Sequence, residues 1–158
     1  MSDAQDPAEE LKTTPLDALN RELGGRMVPF AGYAMPVQFP AGIIAEHNQT
    51  REKASLFDVS HMGQLRLHGE GAATALERLV PGNLEGLKPG RMRYSMLTTD
   101  AGTIIDDLMV TREVGGLFVV VNASRFDADL PHMEANIGSD VEIEVLGGRA
   151  LVALQGPA

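Results

Sequence analysis

The chain contains no cysteine and no tryptophan. The first absence excludes a disulfide framework, a thiolate metal site, an iron–sulfur cluster and a cysteine nucleophile within these residues. Basic residues are also few: 13 Lys and Arg stand against 22 Asp and Glu, a formal net charge of −9. A protein that grips nucleic acid by neutralising phosphates shows the opposite balance, so no nucleic-acid partner is expected. Long apolar runs are missing as well. A stretch such as Leu117 to Val121 is about a quarter of the roughly 20 residues that a membrane-spanning helix takes, and no membrane partner is expected. Met1 to Glu10 is polar and acidic. It has neither the basic start and apolar segment of a signal peptide nor the arginines of a mitochondrial presequence. These residues read as a flexible leader on a cytoplasmic chain.

What is present, 158 residues of which 44% are hydrophobic, is enough for one ordinary domain with a sizeable core. Thr14-Pro15 predicts a helix start, with Thr as cap and Leu16, Leu19 and Leu23 at spacings of three and four before Gly24-Gly25. Arg26 to Phe30 reads as a short strand and Ala31 to Pro36 as a loop, followed by a helix from about Gly42 to Ala54. Leu56 to Ser60 and Met62 to His68 are expected strands, the second alternating Leu65 and Leu67 against Gln64 and Arg66. A third helix is expected over Gly71 to Val80.

Met92 to Thr98, Thr103 to Thr111 and Leu117 to Asn122, separated by short Gly-containing breaks, predict an antiparallel three-strand meander. Ser124 to Ile137 has helical character around Pro131. Val141 to Leu146 and Arg149 to Leu154, joined by Gly147-Gly148, read as one more hairpin. Strands mixed with separate helices, without regular βαβ alternation, give α+β: an antiparallel meander or Greek-key-like sheet with flanking helices.

The sharpest local oddity is Ile104-Ile105-Asp106-Asp107-Leu108. In a regular strand neighbouring side chains point to opposite faces, so Asp106 and Asp107 cannot form a facing pair. That disfavours an aspartic-protease dyad or a glycosidase pair built from these two alone. One of them facing a pocket would serve as proton acceptor or as anchor for an N–H donor. The bland alternative is an edge strand with one Asp in water and one capping a turn.

Phe57-Asp58-Val59-Ser60-His61-Met62-Gly63 holds Ser, His and Asp, but three close neighbours in sequence do not converge as a triad. A strand–turn–strand junction with His61 hydrogen-bonded locally is the favoured reading. The four histidines show no metal-ligand spacing, and no metal is expected. Lys88, Arg91 and Arg93 form a small basic group beside Tyr94, either an anion receiver or a solvated loop edge.

The order of these segments resembles the glycine cleavage system T protein family, the aminomethyltransferases. The resemblance is carried by Thr13-Thr14-Pro15-Leu16, Met27-Val28-Pro29-Phe30-Ala31-Gly32-Tyr33 and the Phe57–Gly63 block. Arg93-Tyr94-Ser95-Met96-Leu97, Gly102-Thr103-Ile104-Ile105-Asp106-Asp107-Leu108, Val120-Val121-Asn122-Ala123 and Leu154-Gln155-Gly156-Pro157 continue it. Gly102-Thr103 stands where a Gly-Gly pair is common in the family.

The resemblance implies transfer of the methylene carbon from the aminomethyl-lipoyl arm of H protein to tetrahydrofolate, a co-substrate, with release of ammonia and no metal. Asp107 matches the family's catalytic carboxylate, which also contacts folate; Met62, Tyr94 and Asn122 match folate-contacting positions. Asp106, on the opposite face, is expected to be structural. The partner implied is lipoylated H protein. Residues 11–158 would then be the folate-binding amino-terminal region of a longer multi-domain aminomethyltransferase, truncated here and inactive alone. Two alternatives stay open within the superfamily: a non-catalytic folate-binding module of the iron–sulfur assembly type, and a folate-dependent demethylase.

Overall fold

In the computed structural model, which describes residues 10–158, helices and strands alternate irregularly along the chain. In order they are α1 (Asp17–Glu22), β1 (Met27–Phe30), β2 (Tyr33–Pro36), α2 (Ile43–Glu52), β3 (Ser55–Asp58), β4 (Gly63–His68) and α3 (Ala72–Glu77). Then follow β5 (Met92–Thr98), β6 (Ile104–Glu113), β7 (Gly116–Val121), a 3-10 turn (Ala123–Arg125), α4 (Phe126–Ile137), β8 (Glu142–Val145) and β9 (Val152–Gln155). The leader expected over residues 1–10 lies, Glu10 apart, outside the described residues. The chain forms two compact units: one takes in the segment up to His61 together with Gly148–Ala158, the other Met62–Gly147.

The second unit is built on a five-stranded antiparallel sheet in the order β5-β6-β7-β4-β8. The expected meander is β5-β6-β7, and β4, which leads through α3 into β5, lies beside β7 to complete a Greek-key arrangement. Alternation sets the two faces. Leu65, Leu67, Leu97, Leu108, Val110, Leu117, Val119 and Val121 are buried on one face, with Ala72, Ala73, Ala75 and Leu76 of α3 and Met133 and Ile137 of α4 packed into the same core. Each such Leu or Val stabilises the fold by about 1.5–3 kcal/mol.

The alanines let α3 approach closely, so this expected helix is a packing element rather than a surface one. Pro131 sits inside α4, where its missing N–H leaves the Asp127 carbonyl unbonded. Both residues are exposed. At Gly116, a Cβ would meet the backbone carbonyl of Leu67 on the paired strand. Gly116→Ala is therefore expected to destabilise the chain by about 1–3 kcal/mol, read by urea denaturation. An unchanged midpoint would show that the two strands can part at no cost.

Two expected local arrangements are replaced by others. Ala31 to Pro36 is not a loop. Ala31 and Gly32 have φ of 49° and 79°, a left-handed pair that closes a tight hairpin, and Tyr33–Pro36 is a strand paired with Met27–Phe30. Nor do the segments around Gly147-Gly148 form a hairpin. β8 pairs with β4, whereas β9 pairs with β3 in a separate two-stranded sheet.

The α1 region differs too. Thr14 makes no side-chain cap; its Oγ1 donates to Asp58 Oδ2 at 2.9 Å, and the buried Asn20 donates to the same oxygen at 2.8 Å. Leu19 and Leu23 are exposed while Asn20 turns inward. Asp58 Oδ1 also accepts the Ser60 N–H at 2.9 Å. Burial pushes the Asp58 carboxyl up, but the hydrogen bonds from Ser60, Asn20 and Thr14 hold it below the usual carboxylate range. Asp58→Ala strands the donors of Thr14 and Asn20 in a buried site. The expected cost is about 2–4 kcal/mol by urea denaturation; a loss within experimental error would show that these donors find other partners.

Candidate functional site

The meander brings chemistry to one end of the five-stranded sheet. In β6, Asp106 lies opposite Leu97 of β5 and Asp107 opposite Met96. Cross-strand partners share a face, so Asp106 belongs to the core face and Asp107 to the other, as alternation predicts. β6 is also an inner strand, flanked by β5 and β7, which removes the edge-strand reading. Leu108 pairs with Val121, so Asn122, one residue beyond β7, comes level with Asp107.

Asn122 joins the two carboxylates that alternation separates. Its Nδ2 donates to Asp107 Oδ1 at 2.8 Å and to Asp106 Oδ2 at 3.1 Å. It manages this because it stands just past the last ladder pair, where the chain turns into the 3-10 segment and its side chain is free of the pleat. Tyr94, two residues before Met96, is an exposed side chain of β5. Its phenol lies beside Asp107, and hydrogen bonding to that carboxylate, followed by partial burial and the charges of Asp107 and Asp106, raises the tyrosine's pKa. Tyr94, Asp107 and Asn122 therefore form one connected group. Met62 lies immediately before Gly63, the β4 partner of Val121. It reaches the same end of the sheet but takes no part in these hydrogen bonds.

A further carboxylate joins this group that the motifs did not single out. Asp129 of α4 is fully buried, neither of its oxygens has a hydrogen-bond partner among the described residues, and the Asp106 carboxyl is near enough to act on it. Burial first, then Asp106, push its pKa up to about 7. Its signal in the sequence is one charge inside the helical stripe Phe126, Leu130, Met133 and Ile137.

The remaining candidates fall elsewhere. Arg93 pairs with Val110, which puts it on the sheet face opposite Tyr94; Lys88, Arg91 and Arg93 are all exposed, the solvated-edge alternative. His61 is not hydrogen-bonded locally through Nδ1, which is buried with no partner among the described residues. Phe30 and Tyr33 instead pack edgewise against its ring, with centroids 5.4 and 6.2 Å away. Burial lowers its pKa, against the opposing charge of Asp58. A cleft in the first unit, lined by Thr50, Arg51, Gln155, Gly156 and Pro157, contains none of the residues predicted for a site.

Comparison with known proteins points the same way as these motifs. Residues 16–158 match the family model described as the GCVT N-terminal domain. A mitochondrial aminomethyltransferase of Dictyostelium discoideum is 44% identical over 158 residues, covering 95% of this chain and 39% of that protein. The aminomethyltransferase of Deinococcus deserti is 44% identical over 157 residues, covering 97% of the chain and 43% of that protein.

Among solved structures, the glycine cleavage system aminomethyltransferase T of Bartonella henselae is similar at a TM-score of 0.86 and 39% identity, over 94% of this chain and 41% of that one. The chain thus spans about two fifths of the length of these relatives. Its α+β fold is that of the T-protein structure, and with the family model matched from Leu16 to the last residue, the chain belongs to the GCVT N-terminal domain family.

Proposed function

We propose that this chain is the folate-binding amino-terminal region of an aminomethyltransferase of the glycine cleavage system. The observation that carries the reading is the single group formed by Tyr94, Asp107 and Asn122 at one end of an antiparallel sheet, in a chain whose relatives are named aminomethyltransferases. Tetrahydrofolate is the co-substrate and lipoylated H protein the partner. The reaction moves the methylene carbon of the aminomethyl-lipoyl arm to tetrahydrofolate and releases ammonia.

The donor set fits a pterin. A folate ring offers flat apolar faces and a rim of N–H donors and acceptors, and the site offers a carboxylate, an amide and an exposed phenol within one network. Asp107 is the catalytic carboxylate: it accepts a hydrogen bond from the pterin side and assists proton movement at the attacking nitrogen. Asn122 occupies Asp107 Oδ1 and fixes the carboxylate plane. Tyr94 stands beside Asp107 and supplies ring surface; Met62 adds an adaptable apolar contact. Asp106 takes the structural role of sharing the Asn122 amide.

Residues 11–158 supply one wall of the folate site, so the chain alone is inactive and binds folate weakly. No helix among the described residues is long and apolar enough to cross a membrane. Within a full-length aminomethyltransferase carrying this sequence, Asn122→Ala is expected to weaken tetrahydrofolate binding about tenfold, the worth of one hydrogen bond to a charged network. Calorimetric titration checks this, and an unchanged affinity would remove Asn122 from the site.

A further inference from the structure

The Asp129 side chain is 0% exposed, and neither of its oxygens meets a hydrogen-bond donor among the described residues. Its polar neighbour is the Asp106 carboxyl, which is also an acceptor when ionised. Two ionised carboxylates in contact repel, and a buried one without a donor is costly. A single proton resolves both difficulties: Asp129 carries it and donates it to Asp106.

The hydrogen count at Asn122 follows from this. An amide has two N–H hydrogens, and Asn122 Nδ2 lies 3.1 Å from Asp106 Oδ2 and 2.8 Å from Asp107 Oδ1. One hydrogen goes to Asp106 and the other to Asp107, whose backbone carbonyl also lies 3.4 Å from Nδ2. Asp106 is then held from two sides, by Asn122 and by Asp129, and the amide is braced between a fixed Asp106 and Asp107.

We propose that Asp129 is a positioning residue for Asp107: by donating to Asp106 it fixes the carboxylate against which the Asn122 amide is braced, and the amide holds Asp107 in place. The proposal rests on reading Asp107 as the folate-facing carboxylate. It makes the geometry of that carboxylate depend on a proton two residues removed from it in the network.

The charged groups acting on Asp129 are Asp106 and Asp107 from β6, which favour its protonated form, and Arg125 from the 3-10 turn, which opposes it. Tyr94 from β5 reaches the network through Asp107. His132, three residues further along α4, has a buried Nε2 with no partner among the described residues. When Asp129 ionises, three carboxylates surround one amide, and the Asn122 hydrogens redistribute.

The test follows the Asn122 side-chain amide resonances of the isotope-labelled chain by NMR across about pH 5 to 9, without folate. The expected result is one titration with a midpoint of about 7. Asp129→Asn, which donates at every pH, should abolish it; Asp106→Asn should move the midpoint lower, because the like charge is gone. A flat Asn122 signal in the unsubstituted chain overturns the proposal without requiring any variant to fold. A titration that persists unchanged in Asp129→Asn overturns it as well, by assigning the proton to another group. Since no folate is present, a chain that failed to bind folate would still show the titration, and the two readings fail separately.

Discussion

In a full-length aminomethyltransferase carrying this sequence, Asp107→Asn is expected to lower kcat by about 10²–10⁴-fold, the range that a positioned acid or base supplies. KM for tetrahydrofolate should stay within about threefold. The split follows from what the substitution leaves in place. Asparagine has the same shape, and its Oδ1 can still accept the Asn122 amide now seen at 2.8 Å; its Nδ2 can turn to the Tyr94 oxygen. The network therefore keeps its geometry, and ligand contacts made through Tyr94, Met62 and Asn122 survive.

What disappears is a site able to accept a proton and the negative charge that stabilises a developing cation. An effect confined to kcat marks an interaction made only as the reaction proceeds. Initial rates with aminomethylated H protein and varied tetrahydrofolate measure both constants. Near-normal turnover would remove Asp107 from the catalytic role, whereas a large rise in KM with kcat unchanged would make it a simple binding contact.

The second large effect is on stability as pH rises. Asp129 has its folded-state pKa raised to about 7, against an ordinary unfolded value of about 3.9. Between those values the folded chain binds a proton that the unfolded chain has lost, so stability falls as pH increases through this window. Its contribution is fully present below the unfolded value and gone above the folded one. Three pKa units set a ceiling of about 4 kcal/mol on the change.

His61 acts in the opposite sense just below its ordinary value of about 6.5, because burial lowers its folded pKa. Asp58 adds a separate loss in strong acid, since its folded pKa is depressed. The comparison that isolates Asp129 is the thermal midpoint of the unsubstituted chain against Asp129→Asn over about pH 5 to 8. The variant should gain steadily on the parent as pH rises. A difference independent of pH would contradict a protonated Asp129.

The parts of this architecture legible in the sequence are those whose partners lie close along the chain. β5, β6 and β7 are joined by short turns at Gly102 and Gly115, both with positive φ, so alternation and turn residues together specify the pairing. β8 and β9 look equally like a hairpin by those criteria. Their true partners, β4 and β3, lie far away in sequence, and local chemistry carries no trace of them. Thr14 misleads for a related reason: its hydroxyl serves Asp58, 44 residues on, instead of the helix it precedes.

The site divides in the same way. Asp106 and Asp107 stand out as two charges in an apolar strand, and the alternation argument assigns them correctly to opposite faces. That one amide placed just beyond the neighbouring strand reaches both depends on the strand pairing. Asp129 was visible only as a charge within the Phe126, Leu130, Met133 and Ile137 stripe, a pattern that the Pro131 interruption obscures. Its meaning depends on which strand α4 covers, and that is a tertiary fact.

The central claim, that folate binds at the Asp107 end of the sheet, is tested most directly by titrating tetrahydrofolate into the isotope-labelled chain. Observation by NMR detects binding even where the dissociation constant is on the order of a millimolar. The account predicts saturable shifts of the Asn122 side-chain amide, the Met62 methyl group and the Tyr94 ring, with residues around Thr50 and Gln155 unmoved. Shifts centred on that other cleft, or no shift at Asn122 as tetrahydrofolate reaches several times that concentration, would contradict it.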